Sequence, residues 1–404
     1  MKYLIIGNGA AGMTAAKTLR EKSPDFSITV ITDEKYHYYN RPALIDFIAG
    51  KKEKETELYF YPEIWYSSNK IEVLLEKTAD KISPSEKKVY LDDGSVLNYD
   101  KLLIAAGARS NMPPIPRDDG TDTAILTLRC IEDAKDIIAR AAHAAKIAVI
   151  GGGVLGLEAA CALKTRFPDV EITILEVAPW LIPRQLDSSG AAILEAQLKK
   201  LGVGRIETSV KIISVGKSAN GIKINIEKPD KKEEITADFA LVSAGVKPNT
   251  ELAAASGIST GKGIIVNEFL ETSAQDIFAA GDIAEFNKTL WGIIPAAIEQ
   301  GSIAASNMLA PQSISYKGTI ISNTLKVAGL ELTAEGNIIP SPEISEISVS
   351  DEEKGIYKKI FVKKENNLPA GFISLGDKNT ARKLSAILKK HSPLSPEEAK
   401  KLIS

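Results

Sequence analysis

Cysteine is scarce in this sequence: only Cys130 and Cys161 occur among 404 residues. Two cysteines cannot build a disulfide framework, so we expect a reducing, cytoplasmic environment. A large excess of charge of one sign is also missing. The formal net charge is −2, which argues against nucleic acid as a partner. We also expect no bound metal.

Long apolar runs are absent as well. A membrane-spanning helix needs about 18 consecutive apolar residues, and the best candidate, 147–157, contains four glycines. We therefore expect no membrane segment and, because a predicted strand begins at residue 3, no signal peptide. A hydrophobic content of 44% and a charged content of 25% are typical of a globular protein, and this length suits two or three domains.

The first strong motif lies near the start of the chain. Residues 3–12 predict a buried strand, a glycine-rich turn and the start of a helix. Gly7 permits the tight turn, Gly9 lets backbone N–H groups approach a phosphate, and Gly12 lets the helix pack against its strand. A single motif of this kind is weak evidence for a nucleotide, so its surroundings decide the interpretation.

Acidic residues follow the next predicted strand, at residues 27–32. Asp33 and Glu34 stand where a carboxylate can bind the ribose hydroxyls of an adenosine, and we favour Asp33. A few residues later, Arg41 could reach a phosphate or an anionic flavin ring. A solvated loop arginine is the alternative. With its acid, the first motif predicts a nucleotide site.

A second copy of the pattern begins at residue 147. A predicted strand leads into Gly151, Gly153 and Gly156, and the strand that follows ends in Glu176. Two complete fingerprints, each with an acid after its second strand, are improbable by chance, so we predict two nucleotide sites. Glu176 can hold both ribose hydroxyls and repels a 2′-phosphate, which favours a nucleotide without that phosphate.

Three further strands end in residues that suit contact with a cofactor. One of these strands ends at Gly281 and Asp282, where the Asp282 carboxylate could accept hydrogen bonds from the hydroxyls of a sugar alcohol. The alternative is that Asp282 caps a following helix. The other two strands end in small residues, which let a strand touch a ligand: Ala106 with Gly107, and Ala244 with Gly245.

The composition changes from residue 316 onward. Strands rich in Lys and Glu are followed by predicted helices near 378–391 and 396–402, which indicates a separate α+β domain of about 90 residues. On the first of these helices, four basic residues share one side and could dock an acidic protein; an ordinary solvated face is the alternative. They are Arg382, Lys383, Lys389 and Lys390.

Together these motifs resemble the flavoprotein family of pyridine-nucleotide-dependent reductases with two dinucleotide-binding domains. Within it the chain is similar to the NADH:rubredoxin reductases and to the flavin modules of assimilatory nitrite reductases. The resemblance covers essentially the whole chain. It rests on residues 7–12, 39–42, 105–107, 151–158 and 279–282 for the family, and on 181–187 and 325–329 for the subgroup.

The resemblance implies an α/β fold of the glutathione-reductase type, with FAD on the first fingerprint and NADH on the second. The implied FAD domain is discontinuous, at 1–109 and 235–310. The implied NAD(H) domain, 110–234, lies between these segments, and an α+β interface domain follows at 311–404. The oligomeric state is left open.

Family roles carry over to individual residues. No side chain is implied as an acid or base, because hydride transfer depends on alignment with the flavin. Glu158 is implied near the nicotinamide. The residues implied at FAD are Gly7, Gly9, Ala10, Ala11, Gly12, Asp33, Glu34, Arg41, Pro42, Ala79, Ala106, Gly107, Gly281, Asp282 and Pro295. Those implied at NADH are Gly151, Gly153, Val154, Leu155, Gly156, Glu158, Glu176, Ala244 and Gly245.

Departures from the family narrow the expected activity. The redox cysteines of the disulfide-reducing members are missing, Asp46 stands where reductases of oxygenase ferredoxins usually have Lys, and Ile294 replaces a common aromatic residue. The resemblance implies hydride transfer from NADH to FAD and electron transfer to a small redox protein such as rubredoxin. The alternatives are an NADH oxidase that reduces oxygen, the flavin component of a nitrite-reducing system, and a redox-gated binding protein.

Overall fold

The computed structural model describes residues 1–118, 120–319 and 323–404, without the side chains of residues 323 and 324. The chain forms two compact units, each built from three segments. In these ranges, no helix has the length and apolar content that crossing a membrane requires. The first unit comprises Met1–Arg41, Lys54–Arg109 and Val246–Ile320. The second comprises Pro42–Glu53, Ser110–Gly245 and Ile321–Ser404.

The helices of the two nucleotide motifs, α1 (Ala10–Lys22) and α5 (Val154–Arg166), follow their glycine-rich turns directly. Each has 13 residues, is rich in alanine, and carries basic residues in its last turn, which suits the helix dipole. The helices are α1 (Ala10–Lys22), α2 (Leu44–Ile48), α3 (Glu63–Ser68), α4 (Ile131–Ala141), α5 (Val154–Arg166), α6 (Ser188–Lys200), α7 (Glu251–Ala255), α8 (Ile294–Leu309), α9 (Lys378–Lys390) and α10 (Pro396–Ile403).

Most strands are short, and those that precede the glycines are continuous apolar runs, as expected where both faces of a sheet are covered. The strands are β1 (Lys2–Ile6), β2 (Ser27–Ile31), β3 (Ile71–Leu74), β4 (Ala79–Ser83), β5 (Lys88–Leu91), β6 (Val96–Asn98), β7 (Lys101–Ile104), β8 (Ala108–Ser110), β9 (Ile125–Thr127), β10 (Lys146–Ile150), β11 (Glu171–Leu175), β12 (Arg205–Glu207), β13 (Lys211–Ser218), β14 (Gly221–Glu227), β15 (Lys232–Ala237), β16 (Phe239–Val242), β17 (Val246–Pro248), β18 (Ile264–Val266), β19 (Ile277–Ala279), β20 (Ala284–Phe286), β21 (Asn323–Val327), β22 (Leu330–Gly336), β23 (Ile344–Asp351), β24 (Ile356–Lys363) and β25 (Pro369–Leu375).

The first unit contains a parallel sheet with the strand order β19-β7-β1-β2-β3. β1 is central and pairs with β2 and β7. Helix α8 packs against α1 so closely that a Cβ on Gly301 would lie 2.4 Å from the carbonyl oxygen of Ala11. The first fingerprint is therefore held between a central strand and a helix that lies almost 300 residues further along the chain.

The second unit repeats the arrangement of the four strands other than the edge strand β9, in the order β12-β11-β10-β16-β9. β10 is central and lies parallel to β11 and β16. In both units the strand before the glycines is flanked on one side by the strand that precedes the acid. On its other side lies a strand that ends in Ala-Gly. The prediction of two Rossmann-like units is confirmed.

One strand lies outside the segment that the resemblance gave it. β16 pairs with β10 of the second sheet, whereas the resemblance placed 235–310 in the FAD domain. Residues 110–245 lie together in the second unit. Helix α2, expected within 1–109, also lies in the second unit, where it packs against α4 and α5. The three-domain division as a whole stays a prediction.

The C-terminal residues form an antiparallel sheet in the order β21-β22-β25-β24-β23. Helices α9 and α10 pack against it around a small apolar core. The two helices expected from the sequence are present, within one or two residues of their expected bounds. Strand β24 is fully paired on both sides, with β23 and β25, so its side chains point alternately to the two faces of the sheet.

Candidate functional site

The first fingerprint is closed around its first and last glycines, Gly7 and Gly12, and open at the middle one, Gly9. Gly7 has a φ of +112°, and a Cβ there would lie 2.1 Å from the carbonyl oxygen of Ala105. A Cβ on Gly12 would lie 2.0 Å from the carbonyl oxygen of Gly7. At Gly9 it would meet no described heavy atom within 4 Å. A ligand can therefore approach the N-terminus of α1, whose unpaired N–H groups favour an anion.

The second fingerprint has the same geometry. Gly151 has a φ of +111°, and its Cβ would lie 2.3 Å from the carbonyl oxygen of Ser243. A Cβ on Gly156 would lie 2.3 Å from the carbonyl oxygen of Gly151, whereas Gly153 is open, with no atom of the described residues within 4 Å. We call these two glycine turns the first and second cradle. Both fit a pyrophosphate at a helix N-terminus.

The cradles differ at the residue between their first two glycines. In the first cradle, the Nδ2 of Asn8 donates to the carbonyl oxygen of Tyr36 at 3.1 Å. The Oδ1 of Asn8 is buried and has no hydrogen-bond partner in the described part of the chain. In the second cradle this position is Gly152, where a Cβ would lie 2.7 Å from Leu181. The orphaned oxygen of Asn8 suits a cradle that a bound group completes.

The acid of the second cradle is folded against the glycine turn. Glu176 is buried. Its Oε2 accepts from the N–H of Gly152 at 2.6 Å, and its Oε1 accepts from the N–H of Ala178 at 2.7 Å. Two N–H donors fix the carboxylate at the end of β11, where the sequence predicts a ribose. That ribose contact stays a prediction.

The acids of the first cradle are arranged differently. Asp33 is exposed. Glu34 forms an ion pair with Arg41 and accepts from the hydroxyl of Tyr39 at 2.6 Å. The guanidinium of Arg41 also lies over the Tyr39 ring, 5.1 Å from its centroid. Arg41 is therefore held by a neighbouring carboxylate and not left as a solvated loop residue, and Asp33 is the acid with an exposed side chain.

The Ala-Gly strand ends border the cradles, as their small size suggested. Ala105 abuts Gly7, and Ser243, just before Ala244 and Gly245, abuts Gly151. In the first unit, the Nδ2 of Asn249 donates to the carbonyl oxygen of Ala106 at 2.9 Å. Its backbone N–H donates to the carbonyl oxygen of Gly107 at 3.1 Å. Sequence reasoning gave Asn249 no role, although it follows the second Ala-Gly end by only four residues.

Gly281 and Asp282 lie beside the first cradle. The N–H of Gly281 donates to Oε1 of the buried Gln300 at 2.8 Å, and a Cβ on Gly281 would lie 3.0 Å from the Cβ of Ala11. The helix-cap alternative for Asp282 is wrong, because β20 follows it and the next helix begins only at Ile294. A role for Asp282 toward a bound sugar alcohol stays a prediction.

The remaining residues implied by the resemblance occupy ordinary positions. Ala79 begins β4 and pairs with Leu91. Pro295 is exposed in the first turn of α8. Their cofactor contacts, like those of the other implied residues, stay predictions. The rest are Ala10 and Ala11, which begin α1, Val154 and Leu155, which begin α5, and Pro42, which lies in a single 3-10 turn.

Glu158 lies half-buried on α5, where its Oε1 accepts from the N–H of Ala328 at 3.1 Å. Burial is the main reason that its pKa is raised, while the Ala328 N–H and the cations Lys326 and Lys51 act in the opposite direction. Asp46 adds to the rise. The structure thus places Glu158 against the turn between β21 and β22. Its predicted position near a nicotinamide is not tested by these contacts.

The two cysteines are free thiols. Burial and the neighbouring Glu158 raise the pKa of Cys161 to about 12, so its thiol stays protonated and is a poor nucleophile near neutral pH. Cys130 is the N-cap residue of α4. In the described ranges, no three or more His, Cys, Asp or Glu side chains gather as a metal site would need.

The chain is similar to known proteins. Residues 1–301 match the family described as pyridine nucleotide-disulphide oxidoreductase, and residues 322–392 match the rubredoxin NAD⁺ reductase C-terminal domain. The chain is 32% identical over 397 residues to an NAD(P)H nitrite reductase of Bacillus subtilis, covering 98% of this chain and 48% of that protein. It therefore spans about half the length of this relative.

Two further comparisons cover more of both chains. NADH-rubredoxin oxidoreductase of Clostridium acetobutylicum is 33% identical over 383 residues, which are 93% of each protein. Its solved structure matches with a TM-score of 0.79 at 30% identity, covering 98% of this chain and 96% of that one. A NAD-dependent persulfide reductase from A. fulgidus matches with a TM-score of 0.83 at 28% identity, covering 97% of this chain and 77% of that one.

Proposed function

Since the chain belongs to the pyridine nucleotide-disulphide oxidoreductase family, we propose that it is an FAD-dependent NADH oxidoreductase that reduces a small redox protein of the rubredoxin type. The observation that carries this acceptor is the match of residues 322–392 to the C-terminal domain of rubredoxin reductases. When bound, FAD supplies the chemistry, because it accepts a hydride and can release electrons singly. The protein supplies binding and orientation.

The first cradle would hold FAD. Its open position at Gly9 admits the pyrophosphate, and the N-terminus of α1 favours the phosphate charge. The exposed carboxylate of Asp33 would bind ribose hydroxyls, and Asp282 would bind the ribityl chain. Replacing Asp282 by Ala should remove charge-assisted hydrogen bonds worth roughly 1.5–3 kcal/mol. FAD should then be lost during gel filtration, and flavin retention equal to that of the wild type would remove Asp282 from the site.

The second cradle would hold NADH. Glu176 presents a fixed carboxylate that suits two ribose hydroxyls and repels a 2′-phosphate. Flavin reduction followed by stopped flow should therefore be faster with NADH than with NADPH. The Glu176→Ala change should narrow this preference, mainly by slowing the reaction with NADH. Equal or better kcat/KM with NADPH in the wild type would contradict the assignment.

The acceptor is tested by measuring NADH oxidation with four candidates. Rubredoxin, a ferredoxin, a nitrite-reductase partner and oxygen should be compared at equal NADH concentration. The proposal expects the highest kcat/KM with rubredoxin. A higher value with oxygen would favour the NADH oxidase alternative, which one relative at 32% identity, named as an NADH oxidase, supports. A cytoplasmic location stays a prediction, supported by the low cysteine content.

A basic face on α9 is the proposed docking surface for an acidic acceptor. Residues 311–404 carry 14 Lys and Arg against 11 Asp and Glu, whereas the whole chain has a net charge of −2. Charge of this kind acts mainly on the association rate and is screened within about 10 Å at 0.1 M salt. All four of its basic residues are exposed: Arg382, Lys383, Lys389 and Lys390.

Reversal of these four charges to Glu tests the docking surface. The KM for the acceptor should rise and its salt dependence should flatten, while reduction of the flavin by NADH stays unchanged. A control variant reverses the same number of exposed charges on other surfaces and should leave the acceptor KM within about twofold. Equal acceptor kinetics in the two variants would remove α9 from the docking surface. The control residues are Lys211, Lys232, Lys262 and Lys288.

A further inference from the structure

Residues 178–187 form a strap that runs from the end of β11 to the start of α6 and touches the second cradle. The N–H of Ile182 donates to the carbonyl oxygen of Gly152 at 3.1 Å. Leu181 is buried, and its Cδ2 would lie 2.7 Å from a Cβ on Gly152. The strap therefore holds the peptide group that joins Gly152 to the open position, Gly153.

The strap contains an unfavourable backbone conformation. Ile182 is buried and has a φ of +41°. A β-branched residue rarely adopts this left-handed conformation and keeps it only where the surroundings hold it in place. Its carbonyl oxygen accepts from the N–H groups of Gln185 and Leu186 at 3.0 and 3.1 Å, and the indole N–H of Trp180 donates to the carbonyl oxygen of Leu186 at 2.9 Å. The strap is thus a tightly hydrogen-bonded turn.

The far end of the strap is fastened to the C-terminal sheet. Asp187 caps α6 by accepting from the N–H of Gly190 at 2.9 Å. It also accepts from the hydroxyl of Tyr357 and from the Nζ of Lys359, each at 2.7 Å. Burial alone would raise the pKa of Asp187, but these three donors outweigh burial and lower it. A Cβ on Gly190 would lie 2.8 Å from the Tyr357 ring, so β24 packs directly against the first turn of α6.

We propose that Asp187, Tyr357 and Lys359 are positioning residues for NADH. The C-terminal sheet holds the strap, and the strap holds the second cradle in the conformation that binds the nucleotide. This inference rests on the proposed function, because it takes NADH as the ligand of that cradle. Coupling of this kind is reciprocal, so bound nucleotide should also hold the C-terminal sheet more firmly.

The neighbouring residue on β24 provides a matched control. Lys358 points to the opposite face of the sheet, where it pairs with Asp377 at 3.1 Å. Asp377 caps α9 by accepting from the N–H of Thr380 at 3.0 Å. This second ion pair has the same chemistry and the same capping role, but it lies within the C-terminal domain and does not touch the strap. Loss of Lys358 removes one ion pair from β24, whereas loss of Lys359 removes two, with Asp187 and with Glu346.

The test is a calorimetric titration of the purified, FAD-loaded protein with NAD⁺. Lys359→Met should raise the Kd for NAD⁺ about fivefold or more, and Lys359→Arg should restore it to within about twofold of the wild type. Lys358→Met should leave the Kd within about twofold. If Lys359→Met fails to fold, Tyr357→Phe keeps the ring, removes one hydrogen bond and should raise the Kd about threefold.

Two results would overturn the inference. Wild-type affinity in both Lys359→Met and Tyr357→Phe would show that the C-terminal sheet does not act on the cradle. Equal weakening by Lys358→Met would mean that any loss in the C-terminal sheet has this effect, without the strap. A wild-type protein that does not bind NAD⁺ would instead refute the proposed function, so the two failures are distinguishable.

Discussion

The two cradles share a backbone and differ in what surrounds it. In each, the first glycine packs against the end of a neighbouring strand and the third packs against the first. The middle glycine of each motif, Gly9 or Gly153, is open. Beside the second cradle lie a buried glutamate and the strap. Beside the first, Asn8 is joined to the backbone of Tyr36.

The comparison separates the backbone geometry that the two cradles share from the neighbouring residues in which they differ. The shared backbone geometry is enough for the group that both nucleotides have in common, the pyrophosphate. The two proposed ligands also differ, since FAD would stay bound whereas NADH would enter and leave. In the first unit, α8 and Gln300 complete the surroundings of the cradle. In the second, a separate surface strap does so.

Alanine at the first glycine of each cradle should have the largest effect. Gly7→Ala places a methyl group 2.1 Å from a carbonyl oxygen at a positive φ, which should cost several kcal/mol and yield protein without flavin. Gly151→Ala should retain FAD but lower kcat/KM for flavin reduction by NADH about 100-fold. Flavin absorbance and stopped-flow reduction measure the two effects. A yellow Gly7→Ala protein, or a colourless Gly151→Ala protein, would break the assignment of the cradles.

Exchange of the second residue of each motif should have an intermediate effect. Gly152→Asn puts a side chain against Leu181 and Glu176, so the Kd for NAD⁺ should rise about tenfold, equivalent to about 1.4 kcal/mol. Asn8→Gly removes the hydrogen bond to Tyr36, worth about 1 kcal/mol, and FAD should dissociate about fivefold faster. Calorimetry and the fluorescence of released flavin measure these changes. If Gly152→Asn binds NAD⁺ normally, the strap is not held as closely as the structure shows.

A smaller effect is expected at Glu158, whose counterpart in the first unit is Thr14. The raised pKa of Glu158 means that the folded protein binds its proton more tightly than the unfolded chain. Stability should therefore fall as the pH rises from the ordinary value of 4.5 through the raised value in the folded state. Glu158→Gln should lose this pH dependence. The difference in Tm between this variant and the wild type should therefore be roughly 2 °C more in favour of the variant at pH 8 than at pH 4. A wild-type advantage that grows with pH would contradict it.

The smallest effect is expected from the cysteines. Replacing Cys130 and Cys161 by Ser should leave NADH-dependent flavin reduction within about twofold of the wild type, because the Cys161 thiol is protonated near neutral pH. Stopped-flow reduction of the double variant measures this. A large loss of rate with FAD content and Tm unchanged would reveal a thiol function in a family whose disulfide-reducing members carry one.

Local patterns in the sequence predicted the features that depend on local geometry. Glycine spacing, apolar strands and the acids after them indicated both cradles, because backbone sterics fix these residue types. The tie between Asn8 and Tyr36 and the fastening of Asp187 by Lys359 were missed, because they join residues far apart in the chain. The cap alternative for Asp282 was wrong for the same reason: pairing of β18 with β20 forms a strand where a helix was possible.

The position of α8 has a consequence for biosynthesis. A ribosome that adds about 5–20 residues per second makes Gly301 roughly 15–60 s after Gly7. Every strand of the second parallel sheet has been made by residue 242, whereas the first sheet still lacks β19, which ends at Ala279. The chain can therefore finish the later cradle first. A nascent chain stalled before residue 277 would contain every strand of the second parallel sheet, but it would still lack β19 and also β24, which fastens the strap.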